Sequence, residues 1–170
     1  LPRYGMVFVM PKGTEQFTYF GKGPGESYVD KNVSTHVDIF KTTVTDNFEP
    51  YVRPQENSSH VDTRFAKVYS RAGHGLMFAF ENACGGSVNA QHYSSRQLSS
   101  TAHDYELVPD EKTFVSIDYM MSGVGSNSCG PSLDPKYRLK HENFSYTFYV
   151  KPVFANNTDD FREYREMLSK

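Results

Sequence analysis

The chain has no tryptophan, only two cysteines in 170 residues, and a net charge of -2 at pH 7. Each shortage excludes something. With charge nearly balanced and basic residues scattered, the sequence carries no electrostatic footprint for nucleic acid or an anionic lipid surface, so neither partner is expected. No apolar run reaches the roughly 18 to 20 residues that a membrane span needs. Cys84 and Cys129 stand in no metal-type pair, so a disulfide framework is not indicated, although a single bond between them stays open. His36, His60, His74, His92, His103 and His141 include no pair at the helical spacing of a metalloprotease. Nothing at the start resembles a signal peptide and the first residue is not Met, which reads as a piece of a longer polypeptide. The compartment is left open, with the cytoplasm favoured over the periplasm or secretion.

What is plentiful is aromatic. Twelve Tyr and thirteen Phe suit a β-sandwich core or a sugar-binding surface, and 170 residues fit one domain. Met6–Met10, Gln16–Phe20, Val37–Val44, Arg64–Ser70, Gly75–Phe80, Ser87–Tyr93, His103–Val108, Thr113–Tyr119 and Phe144–Val150 all read as strands. Arg71–His74 reads as a hairpin loop, and Ser95–Thr101 allows at most two helical turns. Strands at this spacing, without interleaved long helices, indicate an all-β antiparallel sandwich. The tail differs: Phe161, Tyr164 and Leu168 recur at helical spacing behind an acidic first turn. A short C-terminal helix is expected there, packed on the sandwich or on a partner.

The run Gly123-Val-Gly-Ser-Asn-Ser-Cys-Gly-Pro131 has no strand or helix period and little to bury. Glycine lets another surface approach closely, so a shaped, ligand-facing loop is expected, against a plain flexible crossover. Glu26, Asp30 and Glu56 are candidates for paired acids of the kind a glycosidase uses. Near turns, such carboxylates are explained more simply as acceptors for neighbouring backbone N–H groups. The residues taken alone stop at a β-sandwich with one glycine-rich functional loop.

Several segments together go further. Leu1-Pro-Arg-Tyr-Gly5, Tyr19-Phe-Gly-Lys-Gly-Pro-Gly-Glu-Ser-Tyr-Val-Asp30, Tyr51-Val-Arg-Pro-Gln-Glu-Asn57, Tyr93-Ser-Ser-Arg-Gln-Leu98 and Ser128-Cys-Gly-Pro131 occur in that order. From Leu1 to about Val153 the chain resembles the C-terminal "small chain" region of glycoside hydrolase family 2 β-galactosidases; residues 154–170 form an extension outside the pattern. The resemblance implies an antiparallel β-supersandwich of the galactose-mutarotase-like kind, covering the last two thirds of that domain. It implies a retaining hydrolase of terminal β-galactosides such as lactose. By the same resemblance the catalytic glutamates are expected in a separate TIM-barrel domain, and this chain alone is expected to be inactive. No cofactor is expected in the fragment; any Mg2+ or Na+ of the whole enzyme is bound in the barrel. Expected partners are the remaining domains, the galactoside and further copies of the full enzyme.

On the same resemblance, the glycine-rich loop closes one wall of the substrate pocket. Ser126, Asn127, Ser128 and Cys129 are the expected substrate-facing residues, with Cys129 where the best-known members carry a sugar-stacking Trp. Gly21, Gly23 and Pro24 are expected to set a tight turn, and Glu56 and Arg64 to form a buried ion pair. Two alternatives stay open: an aldose 1-epimerase-like enzyme with a His/Glu pair, or a non-catalytic carbohydrate-binding or assembly module.

Overall fold

Side chains alternate between the two faces of an extended strand, so a strand between two covered faces must be apolar on one side at least. That pattern organises the computed structural model, which describes residues 3–81, 85–125, 132–140, 143–154 and 159–169. In chain order the strands are β1 (Arg3–Met10), β2 (Thr14–Gly23), β3 (His36–Thr43), β4 (His60–Thr63), β5 (Phe65–Ser70), β6 (His74–Phe80), β7 (Gly86–Gln91), β8 (Thr113–Met121) and β9 (Phe148–Phe154). The helices are α1 (Ser95–Ser100) and α2 (Asp160–Leu168). One sheet runs β1-β8-β7-β4 and the other β3-β2-β5-β6-β9, with every pairing antiparallel. The expected all-β sandwich with a short terminal helix is the fold observed.

Between the sheets, Phe17 and Tyr19 of β2, Val68 of β5 and Phe78 of β6 meet Val88 of β7 and Ile117 of β8 in one buried cluster. The opposite face of the five-stranded sheet is also apolar, and α2 covers it. Phe161 sets its ring against Phe20 and Phe65, Tyr164 packs on Phe65, and Met167 is buried with Met77 and Val153. Asp159 caps the helix by accepting from the Arg162 N–H at 3.1 Å. A helix of nine residues is too short to hold itself in water, so this apolar seat is what stabilises it.

Three local expectations are corrected. His103–Val108 forms no strand; Asp104–Glu106 is a 3-10 turn, fixed by the Glu106 carboxylate accepting from the His103 N–H at 3.0 Å. Gly21 and Gly23 do not make a turn, because β2 runs through both and the chain bends only at Pro24. They are glycines for closeness instead: a Cβ on Gly21 would overlap Thr63, and one on Gly23 would come within 2.7 Å of the Phe40 ring. The last strand begins at Phe148 rather than Phe144, since Tyr119 and Phe144 stack face to face at 4.7 Å and hold Phe144 out of the sheet.

Candidate functional site

β8 lies at the centre of its sheet between β1 and β7, and its end at Met121 delivers Ser122, Gly123, Val124 and Gly125. The expected substrate-facing residues Ser126, Asn127, Ser128 and Cys129 follow directly and lie outside the described residues. What is described is the base from which they start. It borders a cavity of about 410 Å³ lined by Arg3, Glu56, Ser95, Ser99, Met121 and Gly123, among others.

The outward side chains of the four-stranded sheet supply the polar floor beside that cavity. Val115 and Ile117 point into the core, so Ser116 and Asp118 must point the other way, as does Asn89 between Val88 and Ala90. Arg3, from the start of β1, draws this set together. Its Nη2 lies 3.0 Å from Glu56 Oε1 and 3.5 Å from Asp118 Oδ2, while Nη1 donates to Ser116 Oγ at 3.1 Å. Asn89 Nδ2 donates to Glu56 Oε1 at 3.2 Å and to the Asn57 carbonyl at 2.6 Å. Desolvation raises both acids: Glu56 is pushed up against the pull of Arg3, and Asp118 is pushed up to about 7, with Arg3 opposing and Glu56 adding. Gly5 is what lets β1 lie so low here, since a Cβ at that position would overlap the Asp118 carboxylate.

Arg64 is not the partner of Glu56. Its guanidinium bonds the Asp62 carbonyl and lies 5.4 Å from the centre of the Phe20 ring, on the outer side of the other sheet. The two expected partners stand on different layers, and Arg3 holds the place assigned to Arg64.

The carboxylates of the Glu26–Asp30 segment do accept backbone N–H groups, but distant ones. Glu26 Oε2 accepts from the Ser58 N–H at 2.7 Å, while Oε1 holds Lys31 Nζ at 2.6 Å and the Tyr51 hydroxyl. Asp30 Oδ1 accepts from the Val124 N–H at 3.1 Å and Oδ2 from the Gly125 N–H at 3.0 Å. No sequence spacing announces either contact. The one signal in the sequence is the pair of acids inside a turn-rich segment, which by itself points to local turn chemistry.

Two histidines, His60 and His92, are engaged structurally. His60 is buried and stacked on Tyr19 at 3.9 Å, with its ring nitrogens 3.1 Å from the Lys22 carbonyl and 2.7 Å from Asn47 Oδ1; burial pushes it down to about 4. His92 and Glu15 bond each other directly at 2.7 Å, and the remaining contacts of the pair go to the Lys112 carbonyl and the Thr45 N–H. A His and a Glu joined in this way leave no gap in which a sugar ring could be placed between them. Among the described residues, no three His, Cys, Asp or Glu side chains converge to hold a metal ion. Between Glu56 and Asp118, where a cation would find two carboxylates, stands the guanidinium of Arg3. Among the described residues, no helix is long and apolar enough to cross a membrane.

Comparison with known proteins bears on this arrangement. The family model described as "Beta galactosidase small chain" matches residues 1–150. The chain is 44% identical to a beta-galactosidase of Staphylococcus xylosus over 153 residues, 90% of this chain and 15% of that protein. It is 38% identical to one of Actinobacillus pleuropneumoniae over 151 residues, 87% of this chain and 14% of that protein. It is 30% identical to one of Priestia megaterium over 155 residues, again 90% and 15%. The chain thus spans about 15% of the length of these relatives.

Proposed function

The chain belongs to the beta-galactosidase small-chain family, and from that premise we propose that it is a non-catalytic domain of a β-galactosidase that closes one wall of the galactoside pocket. The observation that carries the reading is the glycine-rich run leaving the central strand β8 beside a cavity whose charged groups already hold one another. Glycosidase chemistry of the retaining kind needs two accessible carboxyls roughly 5 Å apart across a sugar. Asp118 is fully buried beneath Gly5, and Glu56 is held by Arg3 and Asn89, so this pair braces a fold rather than attacking a glycoside. The acid/base and nucleophile come from the rest of the polypeptide, as do any metal ions. The whole protein hydrolyses terminal β-galactosides and assembles as a homo-oligomer on this reading, whose support is kinship rather than geometry.

Ser126, Asn127 and Ser128 offer hydroxyl and amide groups to a sugar, and Cys129 gives a small apolar contact where other members stack an indole. The test is kinetic, in the whole polypeptide. Cys129→Trp is expected to lower KM for the acceptor sugar and raise the share of transglycosylation products, with Cys129→Ala acting in the opposite sense. If neither variant moves KM or the product ratio, the loop does not line the acceptor side of the pocket.

A further inference from the structure

We propose that Asp30 is a positioning residue for the glycine-rich loop: its carboxylate fixes the path by which the chain leaves β8, and so the place from which residues beyond Gly125 depart. The proposal rests on the reading that this loop forms a pocket wall. It assigns the fixing of that wall to a residue more than ninety positions away in the sequence.

Three observations converge on Asp30. The first is the hydrogen bonding. Two successive backbone N–H groups, of Val124 and Gly125, each take one oxygen of the same carboxylate, at 3.1 and 3.0 Å. Adjacent amides point to one side only in a turned backbone, where they form a concavity suited to an anion. Here the anion is supplied by the protein itself.

The second is steric. A Cβ on Gly123 would overlap the Asp30 carboxylate, and one on Gly125 would stand 3.1 Å from Oδ2. The carboxylate fills the space that side chains at these positions would need. Glycine at 123 is thus explained by a specific neighbour and not by flexibility.

The third is the stiffness of the segment that carries Asp30. Tyr28 and Lys31 exchange both backbone hydrogen bonds, at 2.9 and 3.1 Å, across the turn that contains it. Asn32 Nδ2 closes the same turn on the carbonyls of Tyr28 and Val29, at 2.9 and 3.1 Å. The Tyr28 side chain is completely buried, and Glu26 ties the preceding residues to Ser58. Among the described residues Asp30 forms no ion pair, so its charge is directed at the two loop amides. A mobile acid could bind a loop without placing it; an acid on a locked turn places it.

The test uses the whole polypeptide and two readouts. Hydrogen exchange over residues 122–125 is expected to quicken at least about tenfold in Asp30→Ala, the loss of one or more charge-assisted bonds. Exchange in β8 should stay unchanged. Asp30→Asn is nearly isosteric and keeps one acceptor, so its effect should be intermediate. Gly123→Ala breaks the same contact from the other side, and combining it with Asp30→Ala should add little. The kinetic readout is a rise in KM for the acceptor sugar with a smaller change in kcat. Unchanged exchange at Val124 and Gly125 in both Asp30 variants would overturn the proposal. Faster exchange with unaltered KM and product ratio would keep Asp30 as the loop's anchor and overturn instead the reading of the loop as a pocket wall.

Discussion

Arg3 binds Glu56, Ser116 and Asp118 at once, and the cost of removing any member depends on what the others are left facing. Glu56→Ala leaves the Arg3 guanidinium and the Asn89 amide without their shared acceptor. The Glu56 side chain is 26% exposed, so the loss lies between the values for exposed and for buried pairs, about 2 to 4 kcal/mol. Arg64→Ala removes chiefly a cation lying over the Phe20 ring, at about 0.5 to 1 kcal/mol. Denaturant unfolding of the two variants should therefore separate them clearly. Equal losses that did not add in the double variant would instead restore a Glu56–Arg64 pair. At this scale the sequence was least legible. The sequence reading pairs Glu56 with Arg64, and nothing in spacing points to Arg3 instead. Arg3 stands 53 positions away and reaches it only because Gly5 lets β1 settle onto Asp118.

Elements were easier to read than contacts, and the errors among them have physical causes. β2, β5 and β6 carry aromatic and branched residues on both faces, β8 alternates apolar inward with polar outward, and all four lie close to where the sequence pattern places them. β4 escaped notice because its four residues, His60–Thr63, are mostly polar and are buried by the surrounding chain rather than by their own pattern. Tyr105 and Leu107 alternate as in a strand, yet Asp104–Glu106 winds into a 3-10 turn that the Glu106 carboxylate closes on the His103 N–H. The terminal helix was legible from its 3.6-residue period, and its seat was not. Lys67 of β5, almost completely buried on the outer face of the sheet, pairs with Asp160 at the start of α2 and lies 4.9 Å from the Tyr69 ring centre. Asp160→Ala takes the carboxylate from a buried cation and should cost about 3 kcal/mol or more. Lys67→Met keeps the volume without the charge and should cost less, and it should rescue Asp160→Ala in part. Thermal unfolding of the single and double variants checks this; strictly additive losses would show that the pair does not hold α2 in place.

The molecule as a whole is a sandwich with a polar, self-paired floor under one end of β8 and a helix strapped across the far sheet. Among the described residues, the charged groups of that floor hold one another. The plan suits the proposed role, a part that shapes a surface for chemistry performed elsewhere, and the related proteins are about six times as long. Fold class and family were legible because they depend on strand period and on ordered motifs. The proposed pocket-wall role turns on a loop whose first amides, of Val124 and Gly125, bond Asp30, a long-range contact that no local pattern encodes. The most direct measurement is a chromogenic β-galactoside assay on this chain alone, on the complementary remainder of the polypeptide, and on the two mixed. The account predicts activity in the mixture and none from the chain alone. Turnover by the chain alone would contradict that expectation, because a working carboxylate pair would then have to lie within this chain.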